Sequence, residues 1–387
     1  MTPSPRFTSC ALARPGRPYR FVELYAGTAR SGDAFRPWKR AQLSLLVDRD
    51  PFAFETYFQN YPDAPYLVRS VPTLTAADIE TAAGGRVDIL VGCPPCQGFS
   101  DTGHRSVSDP RNRHMTHFAQ LAASLRPLAV AMENVPLAGS TRRFRGFVDR
   151  MDGLGYRSTW GILNAALRGS AQCRHRLIYV GIRRDVGVDP VLPAPTHGGA
   201  GRYFSYSLQK LVTVSDDRVS ILSEAPAVRR VRTAGPHRDD ELPLGPKVIP
   251  TLDAAWAGLP MMGTAKAEQL AHLSWEHTRK MRQRMSRVRE GARWAGGEDH
   301  FSHSYGRLHR RGLANTLTTF FSNPGSGRFW HPVEERAISL REAARLQGFP
   351  DSFEFFPEAT ASCRLIGNAL DGALAKVTYD VIRDCLS

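Results

Sequence analysis

The chain reads as an α/β protein: a Rossmann-like, mostly parallel sheet with helices on both faces, joined to a smaller irregular domain. Three observations predict this. Between Phe21 and about Arg184, short apolar runs alternate with helix-like segments, which is the rhythm of βαβ units. The runs at 21–26, 43–47, 87–92 and 128–132 each lead straight into a chemically distinctive residue: Gly27, Asp48, the Cys93 to Cys96 turn, and Glu133. Beyond Asp185 the rhythm stops, and Gly198-Gly199 with Pro226, Pro236, Pro243, Pro246 and Pro250 breaks any long element as far as about Ser304. In open α/β sheets ligands sit outside the carboxyl ends of the strands, so the four strand ends are expected to converge on one crevice.

The first run enters the turn Gly27-Thr28-Ala29-Arg30-Ser31-Gly32-Asp33. Its glycines, five apart, imitate a phosphate loop, but Asp33-Ala34 stands where such a loop needs Lys and Ser or Thr, and an acid there repels phosphate. Nor does the turn fit Gly-x-Gly-x-x-Gly. What remains is a strand, a glycine turn, and Asp48 at the end of the second strand, 21 positions after Gly27, where a carboxylate can hold ribose hydroxyls. A nucleoside cofactor without a diphosphate fits better than a dinucleotide. S-adenosylmethionine is the candidate, with Asp78-Ile79 for its adenine edge; a structural turn and a strand-end acid are the bland alternative.

The third run ends in Cys93-Pro94-Pro95-Cys96. A zinc site wants four ligands, and no second Cys-x-x-Cys occurs; His104 does not complete the set. A redox pair lacks the other marks of a thioredoxin-like chain. A nucleophile needs the thiolate, which is only a few per cent populated at neutral pH for a free thiol of pKa roughly 8.5, so a helix dipole or a cationic neighbour must raise that fraction. Cys96, followed by Gln97-Gly98-Phe99-Ser100, is the candidate; Cys93 follows the strand directly and is expected to pack. The fourth run, Leu-Ala-Val-Ala-Met, ends at Glu133-Asn134-Val135. Partial desolvation there would raise the carboxyl pKa and suit a proton-sharing role, with a cap or salt-bridge acid as the alternative. A thiol nucleophile and a carboxyl acid together suit addition to an electron-poor ring such as cytosine.

Gln172-Cys173-Arg174-His175-Arg176 leads into a fifth run, 177–182. In extended geometry Gln172, Arg174 and Arg176 share one side. Two guanidinium groups there offer planar donors for a base carbonyl or a phosphate, or simply charge an edge strand. In the small domain, residues 275–290 read as one helix: Met281, Met285 and Val288 form a stripe, while Arg279, Lys280, Arg282, Arg284, Arg287 and Arg289 crowd the rest. That surface faces either DNA phosphates or solvent. Residues 369–386 place Leu370, Leu374, Val377 and Val381 on one face, which predicts a helix packed on the first domain.

Bulk properties agree with a nucleic-acid partner. The formal charge is +14 over 387 residues, and Lys and Arg drive phosphate neutralisation. Six cysteines without regular spacing fit a reducing, cytoplasmic setting. The Arg- and Pro-rich first 20 residues have no apolar core of signal-peptide length, and no run of about 18 apolar residues follows, so neither secretion nor membrane insertion is expected.

In order along nearly the whole chain, these motifs resemble the cytosine-5 DNA methyltransferase family. Glu23-Leu24-Tyr25-Ala26-Gly27 is similar to its first cofactor motif, Pro95-Cys96-Gln97 to its nucleophile motif, and Asp109-Pro110-Arg111-Asn112 to the loop before the next helix. Glu133-Asn134-Val135 is similar to its acid motif and Gln172 to Arg176 to its Gln-x-Arg-x-Arg motif. Ser339 to Pro350 and Ile366-Gly367-Asn368-Ala369-Leu370 resemble its last two. The resemblance implies catalytic roles for Cys96, Glu133, Arg174 and Arg176, and an S-adenosylmethionine site lined by Tyr25, Ala26, Gly27, Thr28, Asp48, Asp78, Ile79, Pro95 and Asn368. Gln97, Ser100, Asn134 and Gln172 would contact the substrate, and no metal is implied. Capping of the last helix is a compatible role for Asn368.

The target would be a cytosine flipped out of double-stranded DNA, attacked through a covalent Cys96 adduct. Residues 20–184 with 358–387 would form the catalytic domain, 185–357 the target-recognition domain, and 1–19 a disordered tail. A monomer is implied, acting in the cytoplasm at the nucleoid, with a cognate restriction endonuclease left open as a second partner. Two alternatives stand: an RNA (tRNA) cytosine-5 methyltransferase, whose Cys-Phe-Thr signature the chain lacks, and a silent DNA-binding homologue. Ala29-Arg30 replaces the family's usual Gly-Gly, Tyr25 its Phe and Glu23 its Asp, which predicts an altered turn or crowding beside the cofactor.

Overall fold

The computed structural model describes residues 17–95, 113–198, 247–294 and 304–387, and the backbone of four short strands between 201 and 238. The first domain runs β1 (Tyr19–Leu24), α1 (Arg30–Phe35), β2 (Ala41–Asp48), α2 (Pro51–Asn60), β3 (Tyr66–Val68), α3 (Ala76–Ala82), β4 (Ile89–Gly92), α4 (Arg113–Leu125), β5 (Ala129–Asn134), α5 (Arg142–Gly153), β6 (Tyr156–Asn164) and β7 (His175–Arg183). Next come β8 (His197–Gly198), β9 (Gly201–Ser205), β10 (Lys210–Val214), β11 (Val219–Ile221), β12 (His237–Arg238) and β13 (Lys247–Val248). The chain ends through α6 (Leu252–Trp256), α7 (Ala265–Gln269), α8 (Arg279–Ser286), α9 (Leu340–Leu346), α10 (Ala359–Asn368) and α11 (Gly372–Leu386).

The main sheet has the order β12-β6-β7-β5-β4-β1-β2-β3. It is parallel except where β7 runs antiparallel to β5 and β6. From β1 the chain first winds outward to β2 and β3 and then returns to β4 on the other side, so the strand order reverses between β1 and β4. A crevice opens at such a switch point, beyond the carboxyl ends of the strands. Alternate residues fill both faces, which is why the strands read as continuous apolar runs. Val22, Leu24, Leu90, Val130 and Met132 pack beneath α3, α4 and α5, whereas Phe21, Ile89, Val91, Ala129 and Ala131 pack beneath α1 and α11.

Local chemistry sets the helix starts. Asp50 caps α2, accepting Phe52 N–H at 3.1 Å with Pro51 behind it, and Thr75 and Ser339 form capping boxes with Asp78 and Glu342.

Several expectations shift. The tail does not extend to residue 19, because Tyr19 is buried in β1 opposite Ala41 and Arg17 pairs with Asp88 at 3.1 Å. The helix expected over 275–290 shortens to α8. Thr278 caps it, and the preceding stretch is held by Trp275 Nε1 donating to Ile338 O at 2.6 Å and Ala337 N donating to His277 Nε2 at 3.0 Å. The last helix is capped by Asp371, which accepts Ala373 N–H at 2.9 Å; Asn368 is instead the final residue of α10, with an exposed side chain. Residues on both sides of the expected boundary at 357 share one core, since Ile338, Phe349 and Phe353 cluster with Cys363, Ile366 and Ala171.

Candidate active site

The turn after β1 is built from left-handed residues, Tyr25 at φ 57°, Gly27 at φ 52° and Ala29 at φ 53°. Asp48, at the end of the neighbouring strand, fixes it: Oδ2 accepts Gly27 N–H at 2.9 Å and Oδ1 accepts Asp50 N–H at 3.0 Å. Burial, more than any neighbour, raises the Asp48 carboxyl above its ordinary pKa. The Tyr25 ring meets His114 edge-on at 5.4 Å, and its hydroxyl lies 3.3 Å from His114 Nδ1. Burial and then Asp48 raise its phenol well above the usual range, so it stays neutral. Thr28 Oγ1 is buried without a hydrogen-bond partner, an unsatisfied donor beside the crevice.

Alanine at position 29 gives α1 no capping side chain, and Glu23 supplies one from β1, its Oε2 accepting Gly32 N–H at 2.7 Å. Glu23 is buried, and loss of solvation pushes its carboxyl up to about 8. Arg30 does not crowd this turn. Its guanidinium pairs with Asp33 at 3.1 Å, donates to Gly348 O at 2.6 Å and lies 4.4 Å over the Phe349 ring.

β4 carries Cys93-Pro94-Pro95 to the crevice; Cys96, Gln97 and Ser100 lie outside the described residues. Gly92 pairs with Met132, so Cys93 follows β4 where Glu133 continues β5. Burial, then Glu133, holds the Cys93 thiol well above its ordinary pKa, which makes it a poor nucleophile. Glu133 forms an ion pair with Arg176 Nε at 2.7 Å, each side chain 13% exposed. Asn134 is buried: its Nδ2 donates to Pro94 O at 3.0 Å and its Oδ1 accepts Val135 N–H at 2.8 Å. It braces the Cys93-Pro94-Pro95 turn.

Gln172, Arg174 and Arg176 share a face as expected, but only Arg176 reaches Glu133. Gln172, 0% exposed, donates to Leu346 O at 3.2 Å and Gln347 Oε1 at 2.9 Å and accepts Leu317 N–H at 2.8 Å. Arg174, 1% exposed, donates to Leu317 O at 3.3 Å and to Gly367 O and Ala369 O at 3.0 Å each. Both tie the C-terminal segment to the stretch that leads into β7, and these bonds lie within the protein. Gly367 follows from the same closure, because a Cβ there would lie 2.5 Å from Thr318 O.

The adenine-edge expectation also changes. Asp78 is exposed and its carboxylate accepts Thr75 N–H at 2.9 Å and Thr75 Oγ1–H at 2.8 Å, while Ile79 is buried in the core beneath α3. The chain that does adjoin Asp48 is the end of β3, where Val68 pairs with Asp48 and Arg69 N–H reaches Asp48 O at 2.8 Å, with Ser70 next. Sequence reading missed Ser70 and His114 as neighbours of the site; the shortness of β3 concealed the first.

Comparison with known proteins agrees with this architecture. The Type II methylase M.HgiDII of Herpetosiphon aurantiacus is 28% identical over 359 residues, covering 87% of this chain and 87% of its own. The Type II methyltransferase M.XorII of Xanthomonas oryzae is 28% identical over 392 residues, covering 94% and 84%. A prophage protein of E. coli, whose crystal structure is described as that of a DNA modification methyltransferase, superposes with a TM-score of 0.62 at 22% identity over 94% of this chain and 99% of that one, a likeness of fold. The profile of the C-5 cytosine-specific DNA methylases matches residues 19–383, and the chain belongs to that family.

Proposed function

We propose that this DNA cytosine-5 methylase works through a covalent adduct on Cys96, with Glu133 as the acid at ring nitrogen 3 and Arg176 fixing Glu133. The observation that carries the reading is the meeting of two strand ends: β4 leads through Pro94-Pro95 into Cys96, and beside it Glu133 is held by Arg176 at 2.7 Å. The Cys96 sulfur adds to carbon 6 of a flipped-out cytosine while Glu133 engages nitrogen 3, so that carbon 5 becomes nucleophilic. After carbon 5 gains a methyl group it loses its proton to a base, the carbon–sulfur bond breaks and Cys96 leaves. The ring faces are inaccessible inside a duplex, so extrusion costs a few kcal/mol before the chemistry begins.

The residues present fit S-adenosylmethionine as cofactor. Asp48 offers a carboxylate at the strand end, Thr28 has an unpartnered buried hydroxyl, and the turn has no phosphate-binding lysine. Tyr25, Ala26, Gly27, Thr28, Asp48, Pro95 and Asn368 would hold it, with Ser70 in place of Asp78 at the adenine edge. When bound, it supplies an electrophilic methyl group. Asn134, Gln172 and Arg174 act as positioning residues that shape the crevice.

The substrate is double-stranded DNA, in which the small domain reads a short sequence. The bacterial Type II relatives support a cytoplasmic role paired with a cognate endonuclease. Expression in a host lacking cytosine methylation should place 5-methylcytosine in one short motif of the genome, read by base-resolution sequencing, and Cys96→Ser should abolish it. An unmodified genome despite folded, cofactor-binding protein would establish the silent homologue instead; methylated tRNA with unmodified DNA would establish the RNA enzyme.

A further inference from the structure

α8 breaks several local rules of helix design at once. Its first turn carries Arg279, Lys280 and Arg282 and no acid, so cations sit at the positive end of the helix dipole. Arg279 and Arg282, and Lys280 and Arg284, are like-charged neighbours on the helix surface, which oppose helix formation. The helix is nonetheless firmly held. Met285 and Val288 are buried against Trp330, with Met281, Trp294 and Tyr305 around them. The buried Arg307 guanidinium secures its C-terminal end, donating to Met285 O at 2.6 Å and Val288 O at 2.9 Å.

Opposite that apolar stripe, Arg279, Lys280, Arg282 and the C-cap Arg287 are exposed, followed by exposed Arg289. None of these five forms an ion pair with a described acid. The nearby Glu290 is already engaged, accepting Arg310 N–H and pairing with the Arg310 side chain at 3.3 Å. Arg284 leans the other way, 5.9 Å from the Trp294 ring centroid and 6.0 Å from that of Tyr305, at the edge of the apolar stripe. A rigid helix that keeps an uncompensated cationic face against its own dipole is a local conflict of the kind found at functional surfaces.

We propose that this face of α8 is a clamp on the DNA backbone that contacts phosphates without reading sequence. The proposal rests on DNA being the substrate and adds how the duplex is held. A polyanion matches the sign of the patch, and each cation that neutralises a phosphate releases condensed counterions.

The test uses the full chain and fluorescein-labelled duplexes of two unrelated sequences, titrated over a series of salt concentrations. Each phosphate contact contributes about 0.9 to the slope of log affinity against log salt. The variant Arg279→Gln/Lys280→Gln/Arg282→Gln should therefore flatten the slope by about 2.7, equally on both duplexes. It should raise the Michaelis constant for DNA and leave turnover at saturating DNA unchanged. Arg282→Gln alone should flatten the slope by about 0.9 and serves if the triple variant fails to fold. An unchanged slope overturns the clamp and points to an acidic protein as the partner of α8, and a loss confined to one sequence overturns it in favour of base reading. If the wild-type chain binds DNA with a slope that the variant loses, yet transfers no methyl group, the clamp stands and the catalytic reading falls.

Discussion

Glu23→Gln isolates the electrostatic cost of the carboxylate that caps α1 from within the sheet. Glutamine keeps an oxygen to accept the Gly32 N–H bond now made at 2.7 Å and removes the proton equilibrium. Burial raises the Glu23 pKa from 4.5 to about 8. Between those values the folded state binds a proton that the unfolded state has released, so stability falls as pH rises through this window. At about 1.4 kcal/mol for each pH unit, ionising Glu23 in the folded protein costs roughly 5 kcal/mol as an upper bound. That is comparable to the whole stability of many domains.

Wild type and variant should therefore have similar unfolding free energies below pH 4.5, and the variant should gain several kcal/mol above pH 8. Urea denaturation of both proteins across that range measures the difference curve, in which the other titrating groups cancel. Parallel stability profiles would refute the reasoning, because they would mean that Glu23 ionises without cost in the folded state.

Two further substitutions probe the same crevice. Ala29→Gly should stabilise the protein by about 0.5–1 kcal/mol, since relieving a left-handed alanine is worth roughly 1–2 and added unfolded-state freedom returns part of it; a denaturation midpoint that falls would show that the turn is not strained. Arg176→Ala should lower turnover by about 100-fold or more, because it frees Glu133, while leaving the S-adenosylmethionine dissociation constant unchanged. Single-turnover kinetics with calorimetric cofactor binding separate the two, and unaltered turnover would remove Arg176 from the mechanism.

Much of the sheet was legible because apolar periodicity is a local signal. All five expected strands form, and β1, β2, β4 and β5 bring Gly27, Asp48, Cys93 and Glu133 to the same edge, as the βαβ rhythm requires. The short β3 and the polar-rich β6, with Arg157, Ser158 and Thr159, escaped that signal. Asp78 is a different failure. Thr75-x-x-Asp78 spells a helix capping box, legible without any structure, yet Asp78 was expected at the adenine edge of the cofactor.

Order and spacing along the chain by themselves determined the fold class, the turn without a phosphate loop, and the arrival of the Cys93 turn and Glu133 at one sheet edge. Strands that feed one sheet edge must deliver their next residues to it. What only the tertiary structure decided is which of the delivered side chains remain free. Gln172 and Arg174 lie on the expected face with Arg176, but Gln172 Nε2 and the two terminal Arg174 nitrogens donate to Leu317, Leu346, Gln347, Gly367 and Ala369, up to 195 residues away. A buried polar group binds whatever partner closure of the chain brings to it, and no local pattern encodes that partner.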